Sequence, residues 1–325
     1  MIVLLFTGGT ISMRNDPAAG GAVPILRGKE IVALAPGIDQ LADLEIDDWG
    51  AFPGPHMTVE RMWALRERIV HHVGRPEVDG VVVTHGTDAL EESAYIAARS
   101  IETEKPVVFT GAMRTSSDLG WDGTGNLGGA IRAAASPDSR NCGVMVVMAD
   151  RIFAAVDVTK THTHALEAFD SPGLGPLGVI DDGRVIFRRA LPAPLTPLTP
   201  TAPATPVDII YSFAGADSRL LDASRVEGKG RGVVIAAMGR GNVPPAMVDG
   251  IERWIADDKP VVITSRAGRG RVGYTYGYPG GGRRLAELGA IFAGARRPLQ
   301  ARIDTMLALG AGFSVADLRE LLERV

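Results

Sequence analysis

Four short segments of this chain combine glycine with the hydroxyl, carboxyl and amino groups that serve in nucleophilic and acid–base chemistry. Each follows or closes a short β-branched or apolar run of the kind that forms a buried strand. Glycines at such turns let backbone N–H groups approach a ligand closely, and the neighbouring threonines present hydroxyls there. The segments are TGGTI at 7–11, THGTD at 84–88, TGAMR at 110–114 and DVTKT at 157–161.

Taken singly, each segment has a structural explanation that needs no chemistry. Thr10 is explained as a capping residue after a glycine turn, and Thr87 or Asp88 as the N-cap of the helix that follows. TGAMR is a polar loop by composition, and Lys160 alone is a solvated side chain. Four such coincidences at four strand ends are hard to accept together. The combination favours one site, because open α/β sheets bind ligands at the carboxyl ends of their strands.

The elements that must position these segments are short strands alternating with amphipathic helices. MWALRERIVHHV at 62–73 and DALEESAYIAARS at 88–100 have apolar residues three and four apart, as a helix covering a sheet requires. This alternation predicts an α/β fold with a doubly wound sheet. The predicted strands are IVLLF at 2–6, GVVVT at 80–84, PVVFT at 106–110, GVMVVM at 143–148, VDIIY at 207–211, GVVIAAM at 232–238 and PVVIT at 260–264.

The domain organisation follows from length and from proline. A chain of 325 residues exceeds the ~100 to 200 residues usual for one domain. Residues 191–206 read LPAPLTPLTPTAPATP, and prolines at this density favour an extended, semi-rigid connector. We therefore predict an N-terminal catalytic α/β domain over 1–190, a proline-rich linker over 191–206 and a smaller C-terminal α/β domain over 207–325.

Composition excludes several classes of function. The net charge of -4 and the isoelectric point near 5.9 give no long-range attraction for nucleic acid or anionic lipid. No stretch reaches the ~18 apolar residues of a membrane span, and the apolar start at 1–6 has neither the basic region nor the cleavage site of a signal peptide. Cys142 is the one cysteine, and its apolar run predicts a buried thiol. We expect a cytoplasmic protein.

These motifs resemble the asparaginase and glutaminase amidohydrolase family, whose two signatures are TGGTI and HGTD. Both are complete here, and TGAMR and DVTKT occur in the family's order. The resemblance covers most of residues 1–175 strongly and continues more weakly through GRGN at 239–242 and LQARIDTMLAL at 299–309. It implies a two-domain enzyme that uses neither metal nor organic cofactor and hydrolyses L-asparagine to L-aspartate and ammonia.

The resemblance also implies roles for individual residues. Thr10 corresponds to the primary threonine nucleophile, which attacks the side-chain amide, while Thr87, Asp88 and Lys160 form the second catalytic group. Asp88 also receives the substrate's amino group. The implied substrate-binding residues are Gly9, Gly54, Gly86, Ala112 and Asn242, of which Asn242 completes the site of a neighbouring subunit. A homo-oligomer, a dimer or a tetramer, follows from that last role.

Two departures from the family pattern matter. Members commonly carry a tyrosine on the loop after TGGTI, but residues 11–26 contain none. We hypothesise that Tyr274, Tyr276 or Tyr278 supplies the hydroxyl instead. The family's serine for the substrate carboxylate corresponds here to Gly54, which leaves room for another amide substrate, and the nearby His56 offers an alternative contact for a carboxylate.

Other signals lead to weaker alternatives. His162 and His164 lie two residues apart, as metal ligands can, but no third ligand follows at a useful spacing. GRGRVG at 268–273 fits a dinucleotide-loop pattern, yet it leads into YTYGYPGGG rather than a helix. Two rival functions remain: an amidohydrolase for glutamine or another small ω-amide, including an ammonia-releasing subunit of an amidotransferase, and an asparaginase-like sensor that has lost turnover.

Overall fold

The computed structural model describes residues 1–190 and 195–324. The chain forms two compact units, residues 1–197 and 198–325. The boundary falls within the proline-rich segment predicted over 191–206, of which residues 191–194 lie outside the described residues. In the described remainder of that segment, Ala204 N donates a hydrogen bond to Met306 O. This part therefore packs against the helix Pro298–Gly310 of the second unit.

The first unit is built on a large mixed sheet with helices on both faces. Its sheet order is β12-β11-β8-β7-β6-β5-β1-β4, and two small antiparallel pairs, β2 with β3 and β9 with β10, lie outside it. The strands are β1 Ile2–Gly8, β2 Met13–Asp16, β3 Gly21–Pro24, β4 Leu44–Phe52, β5 Gly80–Thr84, β6 Val107–Thr110, β7 Val144–Met148, β8 Arg151–Ala154, β9 Thr159–Lys160, β10 Phe169–Asp170, β11 Gly178–Asp181 and β12 Arg184–Phe187, and the helices are α1 Gly28–Ala33, α2 Val59–Val73, α3 Leu90–Ser100 and α4 Gly123–Ala135.

Alternation along β1 explains why this sheet is covered on both faces. Ile2, Leu4 and Phe6 join one core together with apolar residues of α1 and α4. Val3 and Leu5 join the opposite core, with apolar residues of α2 and α3. All five side chains are at most 2% exposed, and full burial of such a side chain contributes roughly 2 kcal/mol. The doubly wound fold therefore follows from a strand that is apolar on both faces.

The parallel part of the sheet contains a change of direction beside β1. Strands β4, β1, β5, β6 and β7 are neighbours and run parallel. From β1 the chain adds β4 on one side, and it then crosses to add β5, β6 and β7 on the other side. The loops after β1 and β5 consequently leave adjacent strand ends at the point where the winding reverses. Ligands of open α/β sheets bind at such switch points.

The second unit is a smaller α/β domain. Its four strands are all parallel in the order β13-β14-β15-β16, and Trp254 is fully buried in its core. The indole N–H of Trp254 donates to Leu221 O at 2.9 Å, so the buried polar group is satisfied. The elements are β13 Val207–Tyr211, β14 Gly232–Ala237, β15 Val261–Ser265, β16 Ile291–Phe292, α5 Arg219–Val226, α6 Val248–Ala256, α7 Gly282–Leu288, α8 Pro298–Gly310 and α9 Val315–Glu323.

All seven predicted strands occur within one or two residues of their expected bounds, and the structure contains further strands that were not predicted. The longest of these is β4, whose sequence LEIDDWGAF looks too acidic for a strand. Two of its acids are paired with arginines of α2 and of the turn that follows it: Asp47 accepts from Arg68 Nε at 2.6 Å, and Glu45 accepts from Arg75 at 2.6 Å. An edge strand carries charge readily when a neighbouring helix supplies counter-charges.

The expected burial of Cys142 is wrong. It precedes β7 and is only partly buried, with its thiol donating to Asp138 O at 3.3 Å. Partial burial raises the pKa of this thiol, so it is poorly suited as a nucleophile despite its exposure. Along residues 1–190 and 195–324, no helix has the length and apolar character needed to cross a membrane.

Candidate active site

Four loops of the first unit lie side by side at the carboxyl ends of neighbouring strands. They follow β4, β1, β5 and β6, which are adjacent in the sheet. The loop after β1 continues from Gly9 into a 3-10 helix, Thr10–Ser12, and the loop after β4 contains another, Gly54–His56. The strand order thus brings the TGGTI, THGTD and TGAMR segments and Gly54 to one edge of the sheet.

Glycine contacts hold these loops against one another. A Cβ atom on Gly9 would lie 2.4 Å from Gly86 Cα, and one on Gly86 would lie 2.6 Å from Gly54 Cα. A Cβ on Gly111 would lie 2.5 Å from His85 O. Real side chains do not occupy such space, so glycine is required where backbone meets backbone. The predicted residues Gly9, Gly54 and Gly86 therefore form the packed floor of the site.

Lys160 joins the site from a different part of the chain. It lies on β9, which pairs with β10. Its Nζ donates to Thr87 Oγ1 at 2.9 Å and to Asp88 Oδ1 at 2.7 Å. The Thr87 side chain is buried, whereas the Asp88 side chain is 60% exposed. One ammonium group therefore connects a buried hydroxyl with a carboxylate that faces solvent.

This geometry argues against helix capping as the explanation for THGTD. Helix α3 begins at Leu90 with Ala89 as its N-cap, and no side chain caps it. Thr87 and Asp88 turn their polar atoms toward Lys160 instead. The side-chain groups that the capping interpretation assigns to the helix are used in the site.

Thr10 begins a 3-10 helix and is half-buried. Its turn is fixed from both sides, since Gly9 N donates to Phe52 O at 2.9 Å and Ser12 Oγ donates to Gly9 O at 2.8 Å. Within residues 1–190 and 195–324, the Thr10 hydroxyl has no hydrogen-bond partner. A hydroxyl that is held in place by its backbone and free of side-chain partners is available to a substrate.

His85 is fully buried behind the Thr87 turn. Its Nδ1 lies 2.8 Å from Gly86 O, and its Nε2 lies 2.9 Å from Ser93 Oγ on α3. Burial lowers the pKa of this imidazole to about 4, which the hydrogen bond to Gly86 O opposes only in part. The ring is therefore neutral at physiological pH.

The loop that carries Ala112 is fixed by two side chains that the sequence analysis does not single out as functional. The Asp122 carboxylate accepts from Met113 N and Arg114 N, each at 2.9 Å. Asn126, on α4, donates through Nδ2 to Gly111 O at 3.0 Å and to Asp122 Oδ2 at 2.9 Å. The four-residue spacing between Asp122, the N-cap residue of α4, and Asn126 within that helix is the signal that could have revealed this pair.

The remaining predicted residues belong to the second unit. Asn242 follows β14 and accepts from Gly282 N at 3.2 Å, and with Tyr278 it lines a cavity of about 410 Å³. Tyr274, Tyr276 and Tyr278 are half-exposed, and Tyr274 packs edge-on against Phe292. Burial, with the nearby Glu323 carboxylate, raises the pKa of Tyr274. The structure thus brings Thr10, Thr87, Asp88, Lys160 and Ala112 together in one unit and places Asn242 and the tyrosines in the other.

The two histidines weighed as metal ligands form a turn instead. His162 Nδ1 accepts from His164 N at 3.0 Å and from Ala165 N at 2.9 Å. Among the residues that the structure describes, no group of three His, Cys, Asp or Glu side chains is arranged to hold a metal ion. His56 is exposed on the 3-10 helix after β4.

Comparison with known proteins matches both units. The family described as asparaginase, N-terminal, matches residues 1–193, and the glutaminase/asparaginase C-terminal domain matches residues 206–322. A probable L-asparaginase of Deinococcus radiodurans is 37% identical over 325 residues, covering 98% of this chain and 96% of that protein. An L-asparaginase of Bacillus licheniformis is 35% identical over 313 residues, covering 95% of each.

A solved structure extends the likeness to the whole fold. The crystal structure of a probable cytoplasmic L-asparaginase from Campylobacter jejuni has a TM-score of 0.88 to this chain and is 31% identical in sequence. It covers 100% of this chain, and this chain covers 99% of it. Two family domains in order, full-length relatives and a shared two-domain fold lead to one conclusion: the chain belongs to the asparaginase family.

Proposed function

We propose that this protein hydrolyses L-asparagine to L-aspartate and ammonia through a threonine nucleophile. The observation that carries the proposal is the contact of Lys160 Nζ with both Thr87 Oγ1 and Asp88 Oδ1, beside the turn that presents Thr10. Proteins named L-asparaginase that match this chain over nearly its whole length support the choice of substrate.

In the first step, the Thr10 hydroxyl attacks the carbon of the substrate's side-chain amide. A C–O bond forms, and the carbonyl electrons move to oxygen. The backbone N–H groups at the Thr10 and Thr87 turns are suited to stabilise this oxyanion. Collapse of the intermediate breaks the C–N bond, the nitrogen leaves as ammonia after gaining a proton, and an acyl ester remains on Thr10. Water then attacks the ester, releases aspartate and restores the hydroxyl.

Lys160 and Thr87 provide a route for the proton. Lys160 donates to Thr87 Oγ1, which leaves the Thr87 hydroxyl proton free to point toward the leaving nitrogen. As Thr87 gives up its proton, Lys160 can replace it, and the proton released by Thr10 can later restore the ammonium. Asp88 stabilises the charged lysine through the 2.7 Å contact.

Asp88 and Ala112 recognise the two polar ends of the substrate in this proposal. The exposed carboxylate of Asp88 suits the α-ammonium group of a free amino acid. The Ala112 carbonyl, on a loop held by Asp122 and Asn126, accepts a hydrogen bond from the leaving amide. Asn242 completes the site from a second copy of the chain. The active form is accordingly a homo-oligomer, a dimer or tetramer.

We also propose a cytoplasmic location. The Campylobacter jejuni neighbour is described as cytoplasmic, and a chain with a single cysteine needs no oxidising compartment.

Gly54 favours a second candidate, hydrolysis of glutamine or another small ω-amide. A Cβ at this position would lie only 3.2 Å from Asp88 Cβ, so the loop after β4 lies closer to Asp88 than a serine would allow without adjustment. The hydroxyl that family members offer to the substrate's carboxylate is absent here. A substrate whose carboxylate lies in a different place, as in a longer ω-amide, could therefore be accepted.

Ammonia release from L-Asn, D-Asn, L-Gln and simple ω-amides tests the proposal and ranks the substrates. Hydroxylamine added to the reaction should divert an acyl-enzyme into aspartyl hydroxamate. Ammonia and aspartate in equal amounts, with hydroxamate in the presence of hydroxylamine, would support the mechanism. Tight binding of L-Asn without ammonia from any amide would instead indicate the sensor.

A further inference from the structure

His85 is the buried titratable group nearest to Thr87 that the proposed mechanism does not use. The side chain has no exposed surface, and both ring nitrogens are engaged at 2.8 and 2.9 Å. Because a carbonyl oxygen only accepts, Nδ1 must carry the proton in its contact with Gly86 O. Nε2 is then an acceptor, and the Ser93 hydroxyl must donate to it.

The hydrogen bond from His85 acts on the peptide that joins Gly86 to Thr87. This peptide unit is planar, so fixing the direction of the Gly86 carbonyl also fixes the direction of the Thr87 N–H. Gly86 has no side chain with which to fix itself, and its neighbours Gly9 and Gly54 have none either. The His85 ring is therefore the side-chain anchor of a turn built from glycine contacts.

We infer that His85 is a positioning residue, held by Ser93, that aims the Thr87 N–H and hydroxyl at the substrate through the Gly86 carbonyl. This inference rests on the proposed function, because the group that it positions is the one assigned there to proton transfer. The imidazole does not touch the substrate. Its effect is geometric: without the imidazole, the Gly86 carbonyl is left with the longer bond from Ala89 N at 3.4 Å, and the 86–87 peptide can rotate away from the orientation that the reaction needs.

Two substitutions of His85 by uncharged amide side chains test its two hydrogen bonds separately. In His85→Asn the amide nitrogen takes the place of Nδ1, so the bond to Gly86 O is kept and the contact with Ser93 is lost. In His85→Gln the amide reaches the Nε2 position, which keeps the contact with Ser93 and loses the bond to Gly86 O. Ser93→Ala leaves the ring in place but removes the hydroxyl that fixes its tautomer.

We expect His85→Gln to lower kcat by about 100-fold, the order of loss that misplacement of a reacting group by about 1 Å produces. His85→Asn should stay within about fivefold of the wild type, and Ser93→Ala should fall between the two. KM should change little in all three variants, because the substrate's charged ends are bound elsewhere. The kinetics are compared at a temperature at which circular dichroism shows each variant fully folded.

Equal losses of kcat in His85→Asn and His85→Gln would overturn the inference, because a merely structural role does not distinguish the two nitrogens. Nitrogen NMR of the wild-type protein shows which nitrogen of the His85 ring carries the proton, and this second test does not depend on turnover. A neutral ring protonated on Nδ1 at pH 7 is expected, and protonation on Nε2 would overturn the inference. A wild-type protein that releases no ammonia would overturn the proposed function, and the ring tautomer would still decide whether His85 anchors Gly86.

Discussion

Lys160 and Thr87 are 73 positions apart in the sequence, and Lys160 Nζ nevertheless donates to Thr87 Oγ1 at 2.9 Å. The contact requires β9 to lie beside the loop after β5, so neither segment can form it alone. It turns a lysine that looks solvated in the sequence into a group with a defined partner. Because Asp88 binds the same ammonium, the lysine bridges a hydroxyl and a carboxylate.

The proposed chemistry predicts a strong effect from removing either reacting group. Thr10→Ala and Lys160→Met should each lower kcat more than tenfold, a loss of more than about 1.4 kcal/mol in transition-state stabilisation. Both positions act on the reaction rather than on core packing, so the thermal unfolding midpoint should change little. Lys29→Met, at an exposed position on α1, is the control. A variant at Thr10 or Lys160 that keeps more than a tenth of wild-type kcat would exclude the role given to that residue.

The missing loop tyrosine predicts that another hydroxyl assists Thr10. Replacing Tyr274, Tyr276 and Tyr278 one at a time with phenylalanine removes the hydroxyl and keeps the ring. If one of them activates the nucleophile, its variant should lose at least about tenfold in kcat. Steady-state ammonia release measures this, and three near-normal enzymes would discard the hypothesis.

Gly9 and Gly37 can be compared to test what a side chain costs at the Gly9 turn. Both have φ of +81°, but ψ is -174° at Gly9 and 4° at Gly37, so a side chain at Gly9 is also more strained in its backbone. A Cβ on Gly37 meets nothing within 4 Å, whereas one on Gly9 meets Gly86 at 2.4 Å. Gly37→Ala should therefore cost about 1 kcal/mol of backbone strain and leave activity unchanged. Gly9→Ala should cost more, through both its backbone conformation and its contact with Gly86, and abolish most turnover. Urea unfolding and kcat measured on both variants check this, and equal behaviour would show that neither the backbone of Gly9 nor its packing against Gly86 is important.

The Ala112 loop should depend on the amide nitrogen of Asn126. Asn126→Asp keeps the shape but turns an acceptor toward Gly111 O and Asp122 Oδ2, which lie 3.0 and 2.9 Å from Nδ2. We expect the free energy of unfolding to fall by at least about 2 kcal/mol and kcat to fall with it. Asn15→Asp, at an exposed position, serves as the control for added charge. Unchanged urea denaturation of Asn126→Asp would contradict this account of the loop.

His85 predicts how stability depends on pH. Its pKa is about 4 in the folded protein against an ordinary value of 6.5, so the unfolded chain binds the proton more readily. The contribution of neutral His85 to the free energy of unfolding is complete above pH 6.5. It is lost as the pH falls from 6.5 through 4, and the total loss is on the order of 3 kcal/mol. Urea unfolding at several pH values should show this loss in the wild type and a shallower one in His85→Asn. Parallel curves for the two proteins would rule out His85 as its source.

Much of the site could be predicted because its segments are local signals. Strand β5 and the turn after it are read from GVVVT followed by HGTD, since β-branched runs form buried strands and glycine ends them. The same logic placed Gly9 and Thr10 after β1. The sequence could not show whether the Thr87 hydroxyl caps α3 or binds Lys160. Both interactions need a residue with a hydroxyl, and because α3 begins two residues after Asp88, Thr87 is close enough to the helix for either.

The pairs missed by sequence reasoning involve partners from distant elements. Strand β4 looks too charged to be a strand until Arg68 of α2 and Arg75, in the turn after that helix, lie beside it. Likewise, the bond between Ser93 and the ring of His85 and the bond from Asn126 to Gly111 O form only when α3 and α4 pack against the sheet. Such contacts depend on the packing of whole helices against the sheet.

The sequence by itself determined the alternating fold and the kinds of chemical group available, because apolar periodicity and glycine turns act over a few residues. Only the tertiary structure decided that Thr10, Thr87 and Asp88 lie at one edge of the large sheet and that Lys160, on the separate β9–β10 pair, reaches Thr87 and Asp88 there. The reason is the strand order, in which β4, β1, β5 and β6 become neighbours. The strand order is fixed by the packing of helices on both faces of the sheet. This packing joins residues that are far apart in the chain, so no short stretch of sequence determines the order.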